Sequence, residues 1–310
     1  MVTLSIIVVN WNSDVFLNKC INSIFKNKSR YSFEVILIDN NSNDTSLYSV
    51  KEYGKKIKII KNKKNFGLSK ANNQGIQRSR GKYLLFLNPD VEILPHTLDR
   101  MINYFDQNPN IGALGPTLLN EDGSLQPSYF GFIDLSHAFF EISSLDRIFP
   151  KNRFNKFILG KILGNLFKNL FANYKEYREP QKVSVIMGSC FLTKKDVLHR
   201  VGYFDEHFFL YHEENELCYR MKKKDLDCMY FPAAAAIHFN KHITSKIQER
   251  VFIERCRSHY YFFRKHYPRK IALFKIVAVA ALHINIFLCL ISNRKMIASR
   301  FFVMKELMKS

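Results

Sequence analysis

The sequence predicts an α/β fold on a mostly parallel central sheet, and three observations carry that prediction. Apolar, β-branched runs alternate with segments of helical periodicity along the first 120 residues. Three of those runs end in clusters of Asn and Asp, the signature of a ligand edge at the carboxyl ends of parallel strands. Hydrophobic residues make up 47% of the 310-residue chain and aromatics 14%, while Gly (12) and Pro (9) are scarce, so a sizeable packed core is expected.

Taken in order, "LSIIVVN" (Leu4–Asn10) reads as a buried first strand. "DVFLNKCINSIF" comes next as a helix, with Val15, Phe16, Cys20, Ile24 and Phe25 at helical spacing. "FEVILIDN" (Phe33–Asn40) and "KIKII" (Lys56–Ile60) are the second and third strands, and "LSKANNQGIQRSR" is a helix stopped by Gly81. "KYLLFLNPD" (Lys82–Asp90) is the fourth strand. "PHTLDRMINYFDQNP" is a helix with Pro95 in its first turn, ending before Pro109. Strands joined by helices imply right-handed crossovers and a parallel sheet. Further on, "FPAAAAIHFN" is a short strand ending in His238, and "HEENELCYRMKKKD" a helix with Leu217, Cys218 and Met221 facing inward.

The polar strand ends are Asn10-Trp11-Asn12, Asp39-Asn40-Asn41-Ser42 and Asn88-Pro89-Asp90. One acid after a strand is commonly a helix cap, and Asp44 suits that role. Three such clusters at one sheet edge point to a site.

Lys and Arg number 47 against 27 Asp and Glu, a formal charge of +20. The excess is concentrated: Lys241–Ser310 carries about 15 basic and 3 acidic residues. "FPKNRFNKFILGKILGNLFKNL" (Phe149–Leu170) places Phe154, Phe157, Ile158, Ile162, Leu166 and Leu170 at helical spacing between lysines. That is a basic amphipathic helix, suited either to an anionic membrane surface or to a core face. The apolar run Ile276–Ser292 is flanked by Arg269, Lys270, Lys275, Arg294 and Lys295, near the lower limit for a span. Basic residues at both ends favour a helix embedded in the interface over a crossing one. Helix-turn-helix, RNP and zinc-finger patterns are missing, which argues against nucleic acid as the partner of this charge.

The six cysteines contain no C-x-x-C pair, and scattered single cysteines suit a reducing compartment as apolar fillers. "MVTLSIIVVNWN" lacks a basic leader and reads as a strand, not a signal peptide.

"SIIVVNWN", "VILIDNNSND", "NKKNFGLSKANNQGI", "GKYLLFLNPDV" and "GYFDEHFFLYHEENELCYR" together resemble glycosyltransferase family 2, and within it the bacterial rhamnosyltransferase-like branch. The resemblance covers about residues 2 to 265, weakly over Ser128–Lys182. It implies a GT-A fold: a Rossmann-like, mostly parallel central sheet with flanking helices, here followed by a C-terminal membrane-associating helical segment. The implied divisions are a nucleotide-sugar-binding half (1–120), an acceptor-binding half (121–265) with the basic insertion near 149–170, and the basic, apolar segment 266–310.

The resemblance also implies roles for individual residues. Asp39 is expected to accept the N3–H of a uracil or thymine ring, since a carboxylate can only accept there. Asn10, Asn12 and Asn41 belong to the nucleoside side of the donor site, and Asn65 and Gly67 to the turn that approaches the diphosphate. Asn88 and Asp90 stand where the family carries its D-x-D motif, with Asn in the first place. Asp90 and His238 are the expected ligands of a divalent cation, Mg²⁺ or Mn²⁺, and His242 and Ser245 come after His238 in the phosphate loop. The family's Glu-Asp-x-Asp is Glu213-Glu214-Asn215-Glu216 here, with both aspartates replaced by glutamate. Glu214 is the expected base and Glu213 the alternative; the same acids also suit the positive end of a helix. Gly188, Ser189 and Glu216 are assigned to the acceptor.

The function so implied is inverting transfer of a sugar, L-rhamnose from dTDP-rhamnose, onto a polyprenyl-diphosphate-linked glycan in cell-surface polysaccharide synthesis. Its place would be the cytoplasmic face of the bacterial inner membrane, peripheral or shallowly embedded on an anionic surface. The alternatives are a UDP-hexose-dependent enzyme of the same fold and a non-catalytic, membrane-recruited relative.

Overall fold

The computed structural model describes residues 2–145, 177–239, 247–291 and 297–309. The expected basic helix of 149–170, His242 and Ser245 lie outside them. The described chain divides into two compact units: residues of Met1–Phe130, Tyr174–Phe209 and Glu213–Ile243, and residues of Gly131–Asn173, Leu210–His212 and Thr244–Ser310.

The first unit is built on β1 (Leu4–Asn10), β2 (Phe33–Asp39), β3 (Ile57–Lys61), β4 (Tyr83–Leu87), β5 (Val91–Ile93), β6 (Ile111–Leu119), β7 (Leu125–Gln126), β8 (Tyr129–Phe130), β9 (Gln181–Val183), β10 (Val185–Ile186), β11 (Cys190–Lys194) and β12 (Asp227–His238). Ten of these form one mixed sheet in the order β3-β2-β1-β4-β11-β6-β12-β5, with β7 beside β6 and β9 beside β12. The strands β3, β2, β1 and β4 are parallel, as the alternating pattern predicts. Strand β11 runs against both β4 and β6, and β6 and β12 are again parallel. Strands β8 and β10 form a separate antiparallel pair.

Helices α1 (Phe16–Lys26), α2 (Ser46–Ser49), α3 (Leu68–Arg78) and α4 (Thr97–Gln107) accompany the first strands; α6 (Lys195–Val201) and α7 (Glu213–Lys222) accompany the later ones, and α5 (Leu135–Ser143) belongs to the second unit. The period-2 geometry of strands sorts the core. Leu4, Ile6, Val8, Val35 and Leu37 share one cluster with Leu17, Ile21 and Ile24 of α1 and Leu98, Met101 and Phe105 of α4. Val9, Ile36 and Ile38 form another with Ala71 of α3. Both faces of β1 are covered, so all seven of its residues are buried. A Cβ on Gly75 would sit 2.5 Å from Ile7 Cγ2, so glycine sets how closely α3 lies on the sheet.

Helix α4 starts at Thr97, later than the sequence suggests. His96 takes a left-handed φ of 65° and leaves Pro95 outside the first turn.

The second unit comprises α5 (Leu135–Ser143), α8 (Gln248–His266), α9 (Ile271–Ile291) and α10 (Ile297–Lys309). Asp134 caps α5 through the His137 amide. Asn285, which interrupts the apolar run of α9, is buried: it donates to Ile142 O and Ser144 Oγ at 2.8 Å and accepts from Arg300 Nε at 2.9 Å. That polar face therefore packs on protein. The other side leaves Leu273, Ile276, Phe287, Leu290 and Ile291 exposed. Among the described residues, Pro268–Ile291 is the one helix long and apolar enough to cross a membrane, and a third of its most apolar stretch is buried. All six cysteines are buried and none is in a disulfide, as fillers should be.

Candidate active site

The parallel register sets Asn10 of β1 beside Asp39 of β2 at the carboxyl edge of the sheet. Asn10 is fully buried, and its Nδ2 lies within 3.0 Å of Asp39 Oδ1, Ser42 Oγ and Ser46 Oγ. Its Oδ1 is buried without a hydrogen-bond partner. Flipping the amide would set that oxygen against the Asp39 carboxylate, so the orphan acceptor belongs to the site. Asp39 accepts from the Ser42 amide through Oδ2 and keeps further lone pairs. An orphan amide oxygen beside a carboxylate suits a ligand that donates.

Asn12 has φ 52° and accepts from the Asn43 amide, tying the loop after β1 to the loop after β2. Asn41 is an exposed left-handed turn residue, whereas Asn40 is buried, donates to Gly67 O and accepts from Asn62 Nδ2. Asp44 opens α2 by accepting from the Ser46 amide. Asn65 Oδ1 accepts from the Gly67 amide at 2.9 Å, closing the turn into α3. Gly67 has φ 85°, and a Cβ there would lie 2.5 Å from Phe209 O. Leu68 N donates to that same carbonyl at 2.8 Å. Glycine is required here by the chain's own packing, whatever the turn binds.

The segment after β4 turns sharply, so that Asp90 precedes the short β5 and is nearly buried. β12 pairs antiparallel with β5, placing His238 opposite Val91. His238 Nε2 lies 3.5 Å from Asp90 Oδ1. The other ring nitrogen, Nδ1, is 2.9 Å from Gln126 Oε1. Gln126 Nε2 is already committed as a donor to His238 O at 2.6 Å and Asn120 Oδ1 at 2.8 Å. The amide orientation is thereby fixed, Nδ1 donates to Gln126, and Nε2 is the ring nitrogen that faces Asp90. Nε2 and Asp90 Oδ1, 3.5 Å apart, are spaced to share a proton or a cation. Both can reach one ion at ~2.1 Å, so the pair fits a divalent metal, with Gln126 as the group that orients the imidazole.

The Asn88 amide donates to Ser189 O at 2.9 Å. Ser189 is buried and its Oγ has no partner, a second orphan at this edge. A Cβ on the adjacent Gly188 would lie 3.5–3.7 Å from Cδ, Cβ and Cγ of Glu214. Gly188-Ser189 therefore links the Asn88–Asp90 segment to the start of α7.

All three glutamates fall in the first turn of α7, near its positive end. Burial first, then the negative charge of Glu214, push the Glu213 carboxyl well above the usual carboxylate range. Glu216 has a different use from the acceptor role expected of it. Fully buried, it receives Arg220 Nε at 3.0 and 2.9 Å, with Nη2 2.8 Å away. The guanidinium goes on to bond Gly202 O and Tyr203 O. Its carboxylate is consumed in locking the turn after α6. The (i, i+4) spacing of Glu216 and Arg220 was the sequence signal for this pairing. Gln126 had no such signal: it sits on a two-residue strand and matters only through its contacts.

The glycosyl transferase family 2 model matches residues 5–202, well over half of the chain. An N-acetylglucosaminyl-diphospho-decaprenol L-rhamnosyltransferase of Mycobacterium tuberculosis is 26% identical over 68% of this chain and 68% of its own length. A low-salt glycan biosynthesis hexosyltransferase of Haloferax volcanii is 27% identical over 76% of this chain and 66% of its own. Among solved structures, GalNAc-T7 with UDP, GalNAc and Mn²⁺ aligns with a TM-score of 0.56 at 19% identity, covering 77% of this chain and 44% of that one. The mannosyltransferase PcManGT of Pyrobaculum calidifontis, with GDP-Man and Mn²⁺, also gives 0.56, at 12% identity over 98% of this chain and 86% of that one. The sheet order, the polar edge and the family match agree: this chain belongs to glycosyl transferase family 2 and has its GT-A fold.

Proposed function

We propose that this glycosyltransferase moves L-rhamnose from dTDP-rhamnose, with inversion, onto a polyprenyl-diphosphate-linked glycan. The observation that carries the chemistry is the Asp90–His238 pair, with Oδ1 and Nε2 3.5 Å apart and the imidazole held at Nδ1 by Gln126. A divalent cation held there, Mg²⁺ or Mn²⁺, would offset the charge that develops on the departing diphosphate. Asn10 and Asp39 present acceptors to the base N3–H, with Asn12 and Asn41 flanking them. The Asn65–Gly67 turn and Asn88 complete the donor side. Glu214, packed against Gly188, takes the proton from the acceptor hydroxyl as it attacks the anomeric carbon. No covalent intermediate is needed, because the leaving group is already activated. Glu213 is the alternative base; Ser189, with its orphan hydroxyl, is assigned to the acceptor.

The rhamnosyl donor and lipid-linked acceptor are supported by the activity for which the mycobacterial relative is named. The apolar face of α9 and the basic residues around it support residence at the inner leaflet on the cytoplasmic side, close to a carrier's diphosphate. A UDP-hexose donor is the second reading, because uracil and thymine offer Asp39 the same N3–H. A turnover assay with dTDP-rhamnose and a panel of UDP-hexoses, Mn²⁺ and a synthetic polyprenyl-diphosphate N-acetylglucosamine separates the two. Product from dTDP-rhamnose alone is expected. Transfer from UDP-hexoses alone would replace the donor assignment, and no transfer from any of them would overturn the proposal.

A further inference from the structure

The second unit holds a cluster of titratable side chains that takes no part in the site above. Glu141 of α5, His259 of α8 and His212, immediately before α7, converge so that their ligand atoms lie within 4.8 Å of one another. Glu141 Oε2 accepts from His259 Nε2 at 2.9 Å and is 3.7 Å from His212 Nε2. The two imidazole centroids are 4.2 Å apart. His259 is fully buried, and its Nδ1 has no partner; nor has His212 Nε2. The orphaned His212 Nε2 faces the same carboxylate oxygen that His259 Nε2 reaches, an unsatisfied polar atom whose burial is costly unless something joins it to that oxygen.

We propose that Glu141, His212 and His259 form a second metal site, for a divalent transition ion of the zinc class, distinct from the Asp90–His238 pair. Two imidazoles and one carboxylate are a zinc-type donor set, softer than the oxygen-rich set that Mg²⁺ or Mn²⁺ prefers. Burial lowers the pKa of both histidines, most strongly for His212, so they are neutral and carry the lone pairs a metal needs. Binding through His259 Nε2 replaces its hydrogen bond to Glu141, and the ring's one proton moves to Nδ1, so the imidazole stays neutral and no net proton is released.

Two charged or titratable groups, His137 and Arg255, flank the cluster and tune it. His137 Nε2 is 3.8 Å from Glu141 Oε1, one helical turn away. Arg255 Nη1 is 4.0 Å from that same outer oxygen, and its guanidinium lies over the Tyr211 ring at 4.6 Å. The Arg255 charge opposes a second cation and sets the affinity below that of an unopposed site. The ion would join three separate chain segments. One of them is the Tyr211-His212 pair, both left-handed at φ 68° and 67°, which enters α7 directly before Glu213. Left-handed backbone at two successive bulky residues is sustained only where the surroundings over-determine it.

The test is zinc stoichiometry of the full chain after chelator treatment and reloading with Zn²⁺ alone. Wild type and Asp90→Ala are expected to retain about one equivalent each, while His212→Asn and Glu141→Gln lose it. Asparagine tolerates the left-handed backbone, so His212→Asn removes a ligand without adding strain. Folding of each variant is checked by far-UV circular dichroism. Co²⁺-loaded Asp90→Ala protein supplies a readout that needs no substitution in the cluster. A visible ligand-field band without a thiolate charge-transfer band is expected. No stoichiometric Zn²⁺ in wild type, Zn²⁺ lost with Asp90→Ala but kept with His212→Asn, or a cobalt spectrum showing cysteine ligation would each overturn the proposal.

Discussion

Replacing Gln126 with Leu removes a side chain of nearly the same size and isolates what its amide does. Gln126 accepts from His238 Nδ1 and donates to His238 O and Asn120 Oδ1, at 2.9, 2.6 and 2.8 Å. Without the acceptor, Nδ1–H is no longer the favoured tautomer, and Nε2 carries a proton part of the time. Losing a partner that orients a ligating histidine costs about 10- to 100-fold in metal affinity, or ~1.4–2.8 kcal/mol. The orphaned His238 carbonyl adds ~1–3 kcal/mol of lost stability. Gln126→Glu separates the two effects: its carboxylate still accepts from Nδ1–H but cannot donate to the carbonyl. Mn²⁺ titrations at a fixed concentration of dTDP or UDP, followed by calorimetry, give the metal term, and thermal melts give the stability term. The expected order of Mn²⁺ affinity is wild type close to Gln126→Glu, with Gln126→Leu at least about tenfold weaker. Equal Mn²⁺ affinity for wild type and Gln126→Leu, or a Glu variant as weak as the Leu variant, would refute the tautomer argument.

Three further outcomes are expected. Burial raises the Glu34 carboxyl, but hydrogen bonds from Ser5 and Arg80 outweigh it and hold its pKa below 4.5; its contribution is therefore present above pH 4.5 and lost as pH falls through the folded value, so Glu34→Gln should lower the melting temperature at pH 7 and lower it less as the pH falls further below 4.5. Gly67→Ala should destabilise by about 1–3 kcal/mol or more, because φ 85° is strained for alanine and its Cβ meets Phe209 O; an unchanged denaturant midpoint would contradict this. In flotation with anionic vesicles the protein should rise with lipid, and Phe287→Glu with Leu290→Glu, both on the exposed side of α9, should leave it in the soluble fraction; flotation unaffected by the double change would place membrane contact elsewhere.

β1, β2 and β4 were legible because each is an apolar run cut off by Asn or Asp, and buried strands flanked by crossover helices leave that pattern. β11 was not legible as the strand that reverses direction between β4 and β6, because pairing sense leaves no mark on side-chain alternation. Within the site, Asp39, Asp90 and His238 could be singled out as strand-end residues, whereas Gln126 is 112 positions from His238 and is connected to it only by folding. Glu216 was assigned by motif position to the acceptor; its ion pair with Arg220 was open to reading from the spacing alone. The Glu141–His212–His259 cluster joins residues separated by 118 positions at its widest hydrogen bond, and no local pattern announces it.

Transfer from dTDP-rhamnose to a polyprenyl-diphosphate-linked acceptor, measured with wild type and Glu214→Gln at saturating Mn²⁺, tests the central claim most directly. Loss of the base should lower the turnover rate by ~10²–10⁴-fold while leaving dTDP affinity unchanged, since Glu214 acts on the acceptor hydroxyl and not on the donor. A Glu214→Gln protein that transfers rhamnose at the wild-type rate would contradict it.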